Sequence, residues 1–417
     1  MEEQVQLSKN YLERYRSKTH MLARWVNDPQ PKDGLVHTPS EIAQQPYLWN
    51  LTASMMGELA GKLKSFLEKN DLYNPSGRPQ IIFTGAGTSD FVGQSLVDLF
   101  RKTFHTNCAN WSTPRITANP HDFFDEHQHY ILIHFARSGN SPESKAVLNL
   151  ALKHYPDNVH HIVITCNQNG ELAKTASAHP DKIFLIPLHP VSNDKGLAMT
   201  SSFSSMLVSA LALVHLGDMK RYKEIIESMA ASAEYFIDTY SDEIYQLSDP
   251  DFNRAFFLGN KDLLGAATES ALKVQELTAG DLFTKSDDPL GFRHGPVSAV
   301  DGSSFVCFFL SEDPFTRRYE IDVIKQYHKT FGEMGAKTVV IGSSHDQMFK
   351  DLDVMYLSYN PEGKWEIPAH YQVNLAVLFG QLFGMFQAVK RKVNVDDPST
   401  QKATYSRVVQ GVQIYEI

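Results

Sequence analysis

Continuous apolar runs alternating with helical stretches, met twice along the sequence, constrain most strongly what this chain can fold into. Apolar β-rich runs fall at 81–84, 130–135, 161–165 and 183–188, with helical segments such as 91–100 and 142–152 between them. A run that is apolar at every residue, not at every second one, predicts a strand buried on both faces. Alternation with helices predicts an α/β fold, in which helices cover both sides of a parallel sheet. The rhythm returns at 255–258, 305–310, 338–341 and 354–357, so a second α/β unit of similar size follows the first. Phe83-Thr84-Gly85 and Phe257-Leu258-Gly259 stand at corresponding strand ends and point to a diverged duplication.

The 417 residues suit about two to three domains. The pattern divides them into a helical, polar N-terminal extension over 1–50, a first unit over 51–216 and a connecting helix over 217–250. A second unit follows over 251–393, and a polar tail over 394–417 is expected to wrap back over the body. Pro29-Gln30-Pro31 breaks the extension, and Ser40 is placed to cap the helix that follows.

Basic side chains number 39 and acidic ones 48, a net charge of −9. That balance argues against non-specific nucleic-acid binding, which needs a basic surface, but leaves room for an anionic substrate in a local pocket. Cys108, Cys166 and Cys307 are scattered, with no CxxC pair, so neither a disulfide framework nor a thiolate zinc site is supported. A cytoplasmic location is expected. The first residues are polar without an apolar signal core, and no stretch approaches the roughly 18 uninterrupted apolar residues of a membrane span.

Two strand ends run into turns rich in glycine and hydroxyls: Gly85-Ala86-Gly87-Thr88-Ser89 and Ala136-Arg137-Ser138-Gly139-Asn140-Ser141. Free backbone N–H groups and short hydroxyls converge on anions at such turns. Two of them in one unit suggest a pocket for a phosphorylated small molecule. The alternative is a tight turn whose glycines serve packing. The first turn begins like a dinucleotide fingerprint, but Asp90 takes the third glycine position and no acid lies at the ribose spacing, so a nicotinamide site is not expected. No Gly-Lys-Ser/Thr follows a strand, so a P-loop is absent too.

Three further segments carry candidate chemistry. The hydroxyls of Asp194-Lys195-Gly196-Leu197-Ala198-Met199-Thr200-Ser201-Ser202 either add to the pocket or cap the next helix. Glu269, Lys273 and Glu276 share one helix face by spacings of four and three, opposite Ala267, Ala271 and Val274. On spacing alone that charged face is solvated. His294, in Phe292-Arg293-His294-Gly295-Pro296, is either a surface histidine or a general acid–base group. His121, His127 and His129 lack a helical metal-binding pattern, and no metal site is expected.

Taken in order, the Gly85–Ser89 turn, the Ser138–Ser141 turn, the Glu269–Glu276 helix and the Arg293–Pro296 loop resemble the sugar isomerase (SIS) family in a double-domain arrangement, over about residues 40 to 417. Within it they are similar to the AgaS-type galactosamine-6-phosphate deaminase/isomerases. The hallmarks here are Thr84-Gly85-Ala86-Gly87-Thr88-Ser89, Arg137-Ser138-Gly139-Asn140-Ser141-Pro142-Glu143-Ser144, Ala198-Met199-Thr200-Ser201-Ser202 and Arg407-Val408-Val409-Gln410-Gly411-Val412. The resemblance implies two SIS domains, each a parallel sheet flanked by helices, behind a helical N-terminal extension. It implies a substrate and phosphate site at Gly87, Thr88, Ser89, Arg137, Ser138, Asn140, Ser141, Thr200, Ser201 and Glu269. Glu276 is implied as the proton shuttle between C1 and C2, His294 as a ring-opening group contributed by a neighbouring subunit, and Lys273 as their catalytic companion. On this view the charged helix face lines the pocket. Lys402 does not align cleanly with the lysine of the related synthase and is left out of the site.

The expected reaction converts galactosamine 6-phosphate to tagatose 6-phosphate and ammonia, without metal or redox cofactor. Glucosamine-6-phosphate deamination and neutral aldose–ketose isomerisation use the same shuttle and remain alternatives, as does a non-catalytic sugar-phosphate sensor. No cysteine follows Met1, so glutamine-dependent ammonia production is not expected. A homodimer or larger homo-oligomer is expected, with no nucleic-acid or membrane partner.

Overall fold

The apolar runs form two five-stranded sheets in the computed structural model, which describes residues 2–249, 251–344, 347–352, 354–401 and 413–415. The first contains β1 (Gln80–Thr84), β2 (Cys108–Asn110), β3 (Tyr130–Ala136), β4 (Val159–Thr165) and β5 (Ile183–Pro187). The second contains β6 (Arg254–Leu258), β7 (Phe283–Asp287), β8 (Ser304–Phe309), β9 (Lys337–Gly342) and β10 (Met355–Ser358). Their orders are β2-β1-β3-β4-β5 and β7-β6-β8-β9-β10, the same topology twice, with every pairing parallel. The fold class is therefore the α/β arrangement predicted. Strand order reverses between β1 and β3, and between β6 and β8. In open parallel sheets the crevice beyond the strands' carboxyl ends at that reversal is where ligands bind.

The central strands are continuous in sequence because both faces are covered: β3 and β8 are buried at every residue. Each large aliphatic or aromatic side chain so buried contributes about 1.5–3 kcal/mol relative to exposure. Two strands, β2 and β7, were not expected. Both are sheet-edge strands, one only three residues long and the other the polar Phe-Thr-Lys-Ser-Asp, so neither has an apolar run to betray it. The helix expected over 91–100 is two helices, Thr88–Gln94 and Val97–Phe104.

Long helices join the units. Gln45–Lys69 runs across residue 50, and Met219–Leu247 spans the connecting segment with Tyr222, Ile226, Met229, Ala233, Phe236, Ile237 and Ile244 as its buried stripe. Both lie against the central body, Met219–Leu247 packing on Gln45–Lys69 and on Gln372–Lys390. The last of these is long and apolar enough to cross a membrane by length and composition, but 94% of its apolar window is buried in the fold. It packs tightly on the Asp262–Leu277 helix. A Cβ on Gly380 would lie 2.8 Å from Ser270 Cα, and one on Gly384 3.2 Å from Val274 Cα. Glycine at these two positions sets how closely the helix carrying Glu269, Lys273 and Glu276 can approach the core.

Ser40 does not cap its helix. That helix is Thr38–Ala43, with Pro39 in its first turn and His37 at the N-cap, so Ser40 sits inside it. The start of the tail meets the N-terminal segment: the Asp396 carboxylate accepts hydrogen bonds from the backbone N–H of Val36, His37 and Thr38 and from the Thr38 hydroxyl. Lys402 and the Arg407–Val412 motif lie outside the described residues.

Candidate active site

At the β1/β3 reversal lies a cavity of about 200 Å³. Ala86, Gly87, Thr88 and Ser89 line it from the turn after β1, and Arg137, Ser138, Gly139 and Ser141 from the turn after β3. Leu197 and Met199 form a third wall, and Glu276 closes it from the Asp262–Leu277 helix. Two glycines make the turns possible. Gly87 has φ +55° and Gly139 has φ +65°, the left-handed region that favours glycine.

Two features of the cavity suit an anion: an uncapped helix start and guanidinium nitrogens without internal partners. Ser141 is the N-cap of the Pro142–His154 helix, yet its side chain makes no capping bond; its hydroxyl donates to Ser144 Oγ at 2.7 Å. The helix's first N–H groups and positive dipole end are thus left for a ligand. Arg137 Nε and Nη1 are buried and have no hydrogen-bond partner. Burial lowers the Arg137 pKa, while Asp194, Cys166, Glu41 and Glu276 oppose that effect; a guanidinium stays charged regardless. A buried cation beside an uncapped helix start and the hydroxyls of Ser89 and Ser138 is the chemistry of a phosphate site.

The charged helix face is not solvated. Glu269 and Lys273 are 0% exposed, and Glu276 keeps 23%. Helix spacing brings the Lys273 ammonium to 2.5 Å from Glu276 Oε2 and 3.5 Å from Glu269 Oε1, and it donates to Thr88 Oγ1 at 2.9 Å. Burial, with the Glu276 charge adding and Lys273 opposing, pushes the Glu269 carboxyl up to about 8. Burial alone would lower Lys273, but Glu269 and Glu276 outweigh it and raise its pKa. At neutral pH the buried Glu269 therefore keeps its proton, while Lys273 stays an ammonium. Burying one ion pair instead of three charges limits a desolvation cost of several kcal/mol per ion. Lys273 is thus a fixed cation, not an amine nucleophile. Glu276 is the partly exposed carboxyl group of the three, and it lines the cavity.

Other predicted residues stand elsewhere. Thr200 and Ser201 are fully buried and face away from the cavity. Their backbone N–H groups donate to the Asp194 carboxylate, which takes the helix start, while the Thr200 hydroxyl donates to Asp194 and the Ser201 hydroxyl to the Glu41 carbonyl, so neither hydroxyl itself caps the helix. Asn140 is exposed and its side-chain oxygen accepts from Glu171 N at 2.9 Å, bracing the next loop. Glu269 lies behind Lys273, not on the cavity wall. His294 is exposed on the loop after β7 and does not line the cavity. Sequence reasoning missed Leu197 and Met199 as lining groups, because apolar residues in a hydroxyl-rich run carry no chemical signal, and Ser144, which reaches the cavity only by the helical turn that sets it beside Ser141. A larger, open groove of about 680 Å³ at the opposite end of the first sheet is lined by Arg78, Arg101, His105, His127 and His129. It presents no carboxylate, so it has no acid–base pair of the kind the cavity holds.

The SIS domain family matches residues 76–216, the first sheet and its two turns. The AgaS protein of Streptomyces coelicolor is 35% identical over 396 residues, covering 92% of this chain and 97% of that one. This chain belongs to the SIS family, in its AgaS branch. The D-galactosamine-6-phosphate deaminase AgaS of Escherichia coli O157:H7 is 33% identical over 384 residues, 91% of this chain and 95% of that one. The crystal structure of tagatose-6-phosphate ketose/aldose isomerase from Escherichia coli superposes with a TM-score of 0.80 at 31% identity, over 91% of this chain and 96% of the other. Membership makes this chain a SIS-type sugar-phosphate isomerase/deaminase of carbohydrate metabolism, with a phosphosugar as substrate.

Proposed function

We propose that the chain deaminates galactosamine 6-phosphate to tagatose 6-phosphate and ammonia. The observation that carries this reading is one cavity holding two complementary halves. On one side stand a guanidinium with two buried, unpartnered nitrogens and an uncapped helix start; on the other, the Glu276 carboxylate held by the Lys273 ammonium. The phosphate anchors at Ser89, Arg137, Ser138 and Ser141. The open-chain sugar then extends toward Glu276.

The aldehyde at C1 acidifies the C2–H. Glu276 takes that proton, the C2–H electron pair forms the C1–C2 double bond, and the C1=O π pair moves onto O1, which takes a proton from solvent to give an enaminol; the Lys273 ammonium stabilises the charge developing there. Glu276 then returns a proton to C1. The resulting C2 imine adds one water and releases ammonia, leaving the ketose phosphate, so the water supplies the new carbonyl oxygen. His294, exposed on its own chain, serves ring opening in the site of a neighbouring subunit of a homodimer or larger assembly. The AgaS relatives' deaminase name supports the deaminating direction, and the structural relative's isomerase name supports a neutral sugar phosphate as the alternative substrate.

Ammonia and ketose phosphate measured together, with galactosamine 6-phosphate, glucosamine 6-phosphate and tagatose 6-phosphate in parallel, test the proposal. Ammonia equal to ketose from the galacto substrate is the expected result. Turnover of the neutral sugar alone would overturn deamination, and preference for the gluco substrate would move the chain to that specificity.

A further inference from the structure

The segment that walls the cavity opposite the two phosphate turns is held by residues outside the matched span 76–216. From the Thr38–Ala43 helix, Glu41 reaches the 195–199 segment: its Oε1 accepts from Lys195 N at 2.6 Å and its Oε2 from Gly196 N at 3.3 Å. Leu197 N donates to the Asp396 carbonyl of the returning tail at 2.7 Å. The fit is close, since a Cβ on Gly196 would lie 2.7 Å from Thr38 Oγ1 and 3.0 Å from Glu41 Oε2. Beyond the segment, Asp194 accepts from the backbone N–H of Thr200, Ser201 and Ser202, so the loop is pinned at both ends. Between the pins, Leu197 and Met199 face the cavity.

We propose that Glu41 is a positioning residue for substrate binding, holding the 195–199 segment as the wall against which the sugar lies. The proposal rests on the functional reading above only in taking the cavity as the substrate site. Glu41 is 7% exposed, and burial, with the Asp194 charge adding, pushes its carboxyl well above the usual range. Its task is to accept two backbone hydrogen bonds, and Oε1 alone reaches both donors, Lys195 N at 2.6 Å and Gly196 N at 3.4 Å, so the single carbonyl oxygen of an amide of the same shape can still accept them. The phosphate turns lie on the other walls. Loss of Glu41 should therefore weaken recognition of the sugar more than that of the phosphate.

Glu41→Ala and Glu41→Gln in the full chain separate this from a general structural role, using amide hydrogen exchange, calorimetric binding of galactosamine 6-phosphate and of inorganic phosphate, and steady-state kinetics. In Glu41→Ala, exchange at Lys195 and Gly196 should rise while amides of β1 and β3 keep their parent rates. Sugar-phosphate affinity should fall about tenfold and KM rise in step, with kcat and inorganic-phosphate affinity changed less than about threefold. Glu41→Gln should restore both the protection and the affinity. The proposal is overturned if Glu41→Ala keeps parent affinity, if it speeds exchange throughout the chain without a selective KM effect, or if Glu41→Gln is as impaired as Glu41→Ala. A parent chain that neither binds nor converts a sugar phosphate would defeat the functional reading instead. The exchange arm would then still decide whether Glu41 holds the segment: parent-like exchange at Lys195 and Gly196 in Glu41→Ala overturns the proposal.

Discussion

The turn after β1 and the turn after β6 share one backbone and differ in chemistry. Gly87 has φ +55° and ψ −129°; Lys261, its counterpart, has φ +52° and ψ −124°. In both turns the hydrogen bonds repeat, Asp90 N to Gly87 O and Leu264 N to Lys261 O. The second turns of each pair match as well. Ser141 and Asp313 are both N-caps followed by proline, at nearly the same dihedrals. What fills these positions is opposite. The first unit carries hydroxyls and an unpartnered Arg137. In the second, Asp313 caps its helix by accepting from Thr316 N, Lys261 pairs with Asp313 at 3.7 Å, Arg317 with Glu312 at 3.0 Å, and Glu320 accepts from Ser311 N. The second unit answers its own helix dipole and cations with internal carboxylates; the first leaves them for a ligand. A fold carried twice thus supplies one site, because the site lies in side-chain chemistry and not in topology.

Five changes break or sharpen that contrast, the largest first. Glu276→Gln keeps the hydrogen-bonding shape but removes the base, and should lower kcat about 10²–10⁴-fold while sugar-phosphate binding persists. Substantial residual solvent-deuterium exchange at the reacting carbon would assign the base elsewhere. Ser141→Asp copies the second unit's cap into the first. It should weaken phosphosugar affinity about 100-fold or more through like-charge repulsion, while helix capping holds or raises the melting temperature. A variant that loses both binding and stability would contradict the contrast.

Arg137→Ala should raise KM about 10–100-fold, the scale of a lost charged hydrogen bond, with a smaller change in kcat. An unchanged KM would remove Arg137 from the anion site.

The sheets themselves should differ in acid response. His134 Nε2 and His161 Nδ1 lie 3.0 Å apart in β3 and β4, both buried, and burial lowers His134 to about 3 and His161 well below its usual value. Among the described residues no strand of the second sheet has a buried histidine. With folded-state pKa values depressed, the unfolded chain binds more protons, so this stability is complete above about pH 6.5 and falls with pH by up to about 1.4 kcal/mol per unit per histidine. Hydrogen exchange at pH 5 should therefore loosen β3 and β4 relative to pH 7, and His134→Phe or His161→Phe should flatten that dependence. Equal acid sensitivity of both sheets would remove the histidine pair as its cause.

The smallest effect is at Lys261→Gly. It removes a non-glycine residue from the left-handed region at the expense of an exposed ion pair, so stability should rise by about 0.5–1 kcal/mol. Activity should stay at the parent value. A loss of activity would mean that the second turn takes part in the reaction.

Much of this was legible in the sequence because burial leaves a pattern. The central strands show as apolar runs, and the strand-to-glycine junctions at Gly85 and Gly259 marked the duplication. Edge strands β2 and β7 did not show, since one covered face and one free edge ask little of composition. The hydroxyls of Ser138 and Ser141 pointed to the cavity, but the same signal at Thr200 and Ser201 reported capping by Asp194. Spacing alone put Glu269 and Lys273 in solvent; mutual pairing across one helix face is what lets them be buried.

Calorimetric titration with galactosamine 6-phosphate tests most directly the claim that only the first unit's pair of turns holds the phosphate of a substrate. One molecule per chain is expected for the parent and for Lys261→Gly, and no measurable binding for Ser141→Asp at the same concentrations. Two molecules per chain, or undiminished binding in Ser141→Asp, would contradict the account.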